Sequence, residues 1–146
     1  MAVGIQRLVR RAVLQKLKAD NALTNLVPAS SIFTQAVHTE PVWPFIKLGF
    51  SSTLPLRASC VRGGLVALDV HCFAHDRKEL GSVAETAEDY ASRIGAAIET
   101  ALNDRHLALD GGGKASIVFS DIRLLQDQEP DAFHWFAQVN ARVLAA

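Results

Sequence analysis

Residues 65–75 read LVALDVHCFAH, and their side chains alternate between two sets. One set is apolar and consists of Val66, Leu68, Val70, Cys72 and Ala74. The other set is mixed and consists of Ala67, Asp69, His71, Phe73 and His75. Because successive side chains of a strand point to opposite faces, this pattern predicts a strand with one core face and one mixed face.

A hairpin is expected to lead into this strand. Its first arm is predicted at about residues 56–61, and Arg62, Gly63 and Gly64 join it to the second arm. The glycine pair is expected to supply the positive φ angles of a tight hairpin turn.

Two further strands and a second hairpin follow from the same reasoning. A short edge strand is predicted at 32–37, and a strand at 44–51 in which Ile46, Leu48 and Phe50 share one face. The second hairpin pairs 115–125 with 132–144 through a polar turn at 126–131. Its last arm alternates, with one face formed by Phe133, Trp135, Ala137, Val139, Ala141 and Val143.

Helical spacing of apolar residues marks two main helices. Residues 1–18 predict an amphipathic helix, and Asp20 is placed to cap a short second helix at 21–26. The clearest helix is predicted at 82–103. There, Ser82 as N-cap and Glu85 three residues later match the capping-box pattern.

This order of elements indicates an α+β fold in one domain, residues 1–146. We expect an antiparallel sheet of about five strands with two main helices packed on one face. The opposite face then carries exposed aromatic and polar side chains, which favours a contact surface. His71, Phe73 and Phe136 are the candidate contacts on that face. Cover by a loop or a strong twist of the sheet would also accommodate them.

Composition excludes several classes of protein. The 146 residues carry a formal net charge of zero, which argues against a nucleic-acid binder and a membrane-surface protein. A near-zero charge favours association between proteins. No apolar segment approaches the roughly 18 residues that span a bilayer, and residues 1–18 do not resemble a signal peptide. We therefore expect assembly in the cytoplasm.

Motifs for metal binding or catalysis are not found. His71 and His75 are four strand residues apart, roughly 13 Å, too far to share a metal ion. The run Gly111-Gly112-Gly113-Lys114 lacks the spacing and the hydroxyl residue of a phosphate-binding loop. Cys60 and Cys72 are predicted out of register for a disulfide, with Cys72 opposite about Pro55. The expectation is a protein that is not an enzyme and has no cofactor and no metal.

Several stretches resemble one family of phage proteins. They are the opening helix, DNALTNLV at 20–27 with Ile32 and Phe33, PFIKLG at 44–49, ASRIGAAIETAL at 91–102 with 107–109, and Asp131 with His134-Trp135 in the last hairpin. Together they are similar to the tail-completion (tail-terminator) proteins of long-tailed phages and gene-transfer agents. The similarity runs from about residue 8 to 143. The chain departs from it in the order His134-Trp135 and in a glycine-rich loop at 109–116.

The resemblance implies a structural virion protein without cofactor or catalysis. Members form a ring, usually of six subunits, that caps the tail tube, stops its polymerisation and offers a surface for head attachment. The implied partners are further copies of the chain, the tail-tube protein and the head–tail connector protein, with DNA passing through the channel unread. The implied location is the tail–neck junction of the virion. Alternatives are another connector or tail-tube subunit, or a small enzyme or ligand-binding module with a polar pocket.

Charge suggests how copies would meet. The first helix is basic, whereas the region 76–104 is acidic, and a ring joins two different patches of neighbouring copies. The candidate interface residues are Arg7, Arg10 and Arg11 on one patch and Glu85, Glu88 and Asp89 on the other. Solvated faces, or pairing of the two helices within one subunit, are the alternatives.

Overall fold

The computed structural model of the chain describes residues 4–37, 40–57 and 62–145. In these ranges the helices are α1 (Ile5–Ala19), α2 (Asn21–Thr24) and α3 (Ala87–Leu102), with a 3₁₀ turn at Ala29–Ser31. The strands are β1 (Ile32–Phe33), β2 (Phe45–Arg57), β3 (Arg62–His75), β4 (Arg77–Glu79), β5 (Ser82–Glu85), β6 (His106–Ala108), β7 (Lys114–Gln126) and β8 (Ala132–Ala145).

One mixed sheet organises the described residues. Its six strands lie in the order β1-β2-β3-β8-β7-β6, and a separate two-stranded sheet joins β4 to β5. The main sheet is antiparallel except that β1 runs parallel to β2. The expected count of about five strands was therefore slightly low. β6, β4 and β5 were not predicted, and the edge strand β1 is shorter than 32–37.

The alternation predicted along the central strands is confirmed. On β3 the buried side chains are Val66, Leu68, Val70, Cys72 and Ala74, and on β8 they are Trp135, Ala137, Val139, Ala141 and Val143. The register Cys72↔Trp135 and Val70↔Ala137 aligns the two rows on one face of the sheet. Burying one such aliphatic side chain contributes about 1.5–3 kcal/mol, so these rows supply much of the stability.

Helices α1 and α3 cover this face, as expected. α1 buries Leu8, Val9, Ala12, Val13 and Leu17, and α3 buries Ala91, Ile94, Ile98, Ala101 and Leu102 in the same cluster. The close approach of α3 to β8 depends on Gly95, since a Cβ there would overlap the indole of Trp135. The opposite face of the sheet is left without a helix of the described residues.

The first hairpin differs from its prediction. The segments 44–51 and 56–61 were treated as separate strands, but β2 runs unbroken from Phe45 to Arg57 with a bulge between Leu48 and Ser51. Residues 58–61 of the second predicted segment lie outside the described residues. The bulge adds a residue to one strand, so Phe50 leaves the core face of Ile46 and Leu48 and is exposed.

Gly63 and Gly64 lie within β3, not in the turn. They pair with Leu56 and Pro55, and a Cβ at Gly63 would meet the carbonyl oxygen of Val143. Close backbone approach is therefore the reason for glycine here. Cys72 pairs with Ile46, not with Pro55, whereas Cys60 lies outside the described residues.

The start of the third helix was also predicted wrongly. Ser82 and Glu85 belong to β5, and α3 begins at Ala87 with Thr86 as its N-cap. The turn Leu80-Gly81 has positive φ at both residues, which folds β4 and β5 into a hairpin. Among the described helices, none has both the length and the apolar character needed to cross a membrane.

Candidate functional site

The sheet face opposite the helices carries a group of rings at one end of β2, β3 and β8. Phe45 stacks on Phe73 with ring centroids 4.9 Å apart, and Phe73 stacks on His134 at 4.2 Å. These contacts follow the strand register, since Phe45 pairs with Phe73 and Phe73 with His134. We call the group the aromatic cluster; its members are Trp43, Phe45, His71, Phe73, His75, His134 and Phe136.

The structure places all three predicted sheet-face residues in this cluster. His71, Phe73 and Phe136 are half-buried against one another, and His71 lies 5.1 Å from Phe136 between ring centroids. The sequence prediction missed Phe45. Phe45 and Lys47 share one face of β2 and pair with Phe73 and His71 of β3, so their alternation with the buried Ile46 was a usable signal. Trp43 precedes β2 in a loop, where no periodic pattern marks it.

Two histidines at the centre of the cluster share a hydrogen bond. The Nδ1 atom of His71 and the Nε2 atom of His134 are 2.7 Å apart. Burial, then the neighbouring His134 and Lys47, lower the pKa of His71 to about 4. Burial also lowers the pKa of His134, against an opposing effect of Asp127. His71 is therefore uncharged at neutral pH.

His75 closes the cluster at its outer end. Its ring stacks on Trp43 at a centroid distance of 3.7 Å, and its Nε2 lies 3.1 Å from a carboxylate oxygen of Glu129. Asp131 completes a group whose possible ligand atoms lie within 4.8 Å of one another. These residues have the chemistry to hold a cation, but Glu129 and Asp131 are solvent-accessible and the pairing with Glu129 already orients the imidazole.

The predicted basic residues of α1 line a cavity. Arg7 and Arg11 are exposed and Arg10 is half-buried, and the cavity of about 190 Å³ lies between α1, β2 and the segment after β1. The Nε atom of Arg10 is buried without a hydrogen-bond partner among the described residues. Arg11 lies 3.4 Å from Asp110. The full lining is Arg7, Arg10, Arg11, Leu14, Thr34, Gln35, Leu48 and Gly49.

The three acidic residues predicted for the interface differ in their contacts and exposure. Glu85 accepts hydrogen bonds from Arg93 at 2.7 and 2.9 Å and from Arg77 at 3.3 Å. These bonds, led by that of Arg93, lower the pKa of the Glu85 carboxyl. Glu88 and Asp89 are exposed on the first turn of α3. Within the described part of the chain, no ion pair joins the three arginines of α1 to any of these acids.

A larger, open cavity lies between β5 and the start of α3. It measures about 520 Å³ and is lined by Arg77, Val83, Ala84, Glu85, Thr86, Asp89 and Arg93. Three of the charged residues that line it form ion pairs with one another, since Glu85 pairs with both Arg77 and Arg93. This arrangement fixes the β4–β5 hairpin to α3.

Comparisons with known proteins find one matching family model and solved structures of similar fold. A family model described as tail completion protein gp17 matches residues 11–144. Nineteen chains of solved structures match. One is a chain of the virion of a native gene transfer agent (GTA) particle, with 20% identity and a TM-score of 0.77. The match covers 99% of this chain and 100% of that chain, which shows a shared fold. Comparison with curated proteins finds no match.

Proposed function

The chain belongs to the tail completion protein gp17 family, and we propose that it closes the end of a phage tail tube as a ring of identical subunits. As a member of this family it is a structural protein of the phage tail. The observation that carries the proposal is the family match, which spans residues 11–144.

The surface of the subunit suits a closed ring. Such a ring needs two different, complementary patches on each copy, because patch one of a subunit meets patch two of the next. The arginine-lined cavity of α1 and the exposed acids Glu88 and Asp89 of α3 are two patches of opposite charge on separate elements. Arg7 and Arg10 are the main basic contacts of this interface, because Arg11 already pairs with Asp110 of its own subunit. Six subunits are proposed, as in the family that the sequence resembles.

Glu85 takes a supporting role in this interface. Because Arg77 and Arg93 already bind its carboxylate, it positions the start of α3 and the hairpin before it. The exposed carboxylates that follow it then face the neighbouring copy.

The aromatic cluster is proposed as the surface for other tail proteins. Aromatic rings that are half-exposed on a rigid sheet supply contact area at low cost in side-chain entropy. His71, Phe73 and Phe136 would contact the tail-tube protein on one side of the ring, and the head–tail connector would bind the other side. DNA passes through the channel without sequence recognition, which fits a net charge of zero. The proposed location is therefore the tail–neck junction of the virion, with assembly in the host cytoplasm.

A tube-capping assay tests the proposal. The tail-tube protein of the same phage is polymerised with and without this protein, and tube lengths are measured by negative-stain electron microscopy. A terminator is expected to stop growth at substoichiometric amounts and to appear as one ring at tube ends. Incorporation along the tube would identify a tube subunit, and unchanged lengths with bare ends would contradict the proposed function.

A further inference from the structure

A leucine stands at the tip of the β4–β5 hairpin. Leu80 is fully exposed and has φ of +52°, and it is followed by Gly81 with φ of +82°. Val83 on the same hairpin is also exposed. The tip therefore presents a large apolar side chain that gains no burial within the subunit.

Leucine is an unfavourable residue for this backbone. The left-handed region is sparsely allowed for residues with a Cβ, and glycine or asparagine is the usual choice in a tight hairpin turn. Leu80 thus adds local strain and an exposed apolar surface at once. Strain of this kind is found where a residue serves a contact.

The hairpin is held in place before any contact forms. Arg77 binds Glu79 at 2.8 Å and Glu85 at 3.3 Å, and Arg93 of α3 binds Glu85 at 2.7 Å. The Arg77 bonds brace the hairpin internally and the Arg93 bond ties it to α3, so little conformational freedom is lost when its tip enters a partner.

The same chain offers a receptor for such a tip. The arginine-lined cavity has a floor of Leu14 and Leu48 and a volume of about 190 Å³. Apolar cavities of about 150 Å³ accept a benzene-sized group, so one leucine side chain fits. Arg10 at its wall leaves a buried Nε without a partner among the described residues. An acidic neighbour of the incoming leucine would satisfy it.

We propose that Leu80 of one copy enters the arginine-lined cavity of the next copy. The exposed acids beside the hairpin, namely Glu88 and Asp89 on α3, face Arg7 and Arg10 of that neighbour. The contact joins two different surfaces, so repeated contacts close into a ring or extend into a helix. This inference rests on the ring proposed above and assigns its junction.

The first test replaces the tip alone. Leu80→Gly removes the side chain and suits the positive φ, so the thermal midpoint of the monomer is expected to stay equal or rise. The same variant is expected to raise the dissociation constant of the oligomer at least tenfold. Val42→Gly, at another exposed apolar residue, is the matched control and should leave assembly unchanged.

The second test uses two complementary defects. Leu80→Asp removes the inserted group, and Arg7→Glu with Gln35→Trp blocks the cavity at two exposed positions. Each variant alone should fail to form rings, whereas a mixture should form one-to-one heterodimers, because one intact junction is left. Mass photometry in solution and on tube ends measures all three samples.

The outcomes separate the two proposals. Wild-type rings together with unchanged rings of Leu80→Gly would overturn the hairpin contact and leave the ring standing. Wild-type protein that forms no ring, in solution or on tube ends, would overturn both.

Discussion

His71 and His134 lie on neighbouring strands and share a 2.7 Å hydrogen bond between ring nitrogens. One ring must donate and the other accept, so the pair cannot keep this bond when both rings are fully protonated. Lys47 opposes protonation of both rings, whereas Asp127 favours it at His134. The exposed sheet face therefore depends on two neutral histidines.

We predict that stability falls on acidification through this pair. Between pH 6.5 and about 4 the unfolded chain binds a proton at His71 that the folded chain does not. The stability that comes from keeping His71 neutral is thus fully present above pH 6.5 and is lost as the pH falls toward 4. Because the ring is half-buried, water screens the effect, and we expect a loss on the order of 1 kcal/mol. Urea unfolding across this pH range measures it.

A double variant isolates this effect from the titration of carboxylates. His71→Phe with His134→Phe removes both titrating rings and should flatten the pH dependence relative to wild type. The control variant His106→Gln, at an exposed histidine, should leave the pH dependence of stability as in wild type. Equal pH dependence in all three proteins would show that the pair does not titrate as inferred.

Gly95 is predicted to resist replacement by alanine. Alanine favours a helix by about 1 kcal/mol over glycine, so an open site would gain stability. A Cβ at Gly95 overlaps the indole of Trp135, and Gly95→Ala should instead cost about 1–3 kcal/mol. Chemical denaturation measures the change, and Trp135→Phe in the same chain should recover part of it. Additive costs in the double variant would contradict this packing.

Asp76 is predicted to cap α3 from outside the helix. Its Oδ1 accepts a hydrogen bond from the backbone N–H of Ala87 at 2.6 Å. Asp76→Ala should therefore lower the free energy of unfolding by about 1 kcal/mol, and Asp76→Asn should lower it less, since asparagine retains an acceptor. Glu40→Ala, at an exposed acid, is the control. No difference between Asp76→Ala and this control would exclude the cap.

The aromatic cluster is predicted to bind another tail protein. Phe136→Ser removes an exposed part of the cluster and should weaken attachment to tail tubes at least tenfold, with little effect on ring formation. Val118→Ser changes another exposed side chain of the same sheet and serves as the control. Cosedimentation with tubes measures attachment. Equal attachment of both variants would place the tube contact elsewhere.

The core was predictable from the sequence, whereas the turns were not. Alternation along β3 and β8 identified the buried rows, because side-chain direction in a strand is set locally. The role of Gly63 depends on the backbone of Val143, which is distant in sequence. The capping box at Ser82 was a valid local pattern, but the turn at Leu80 and Gly81 directed the segment into a hairpin.

The candidate site was predicted in the same uneven way. Alternation along β3 and β8 predicted that His71, Phe73 and Phe136 share the face opposite the helices, where the structure places them. The pairing of Glu85 with Arg77 and Arg93 requires the hairpin to fold onto α3, which local sequence did not indicate. The sequence analysis did not single out Leu80, because a single leucine has no periodicity to mark it.

The mass of the wild-type oligomer, measured in solution and at the ends of tail tubes, is the most direct test of closure. We predict a single closed species, six copies in mass, that does not grow when more protein is added. Masses that keep rising with concentration, or a monomer that never associates with tubes, would contradict the account.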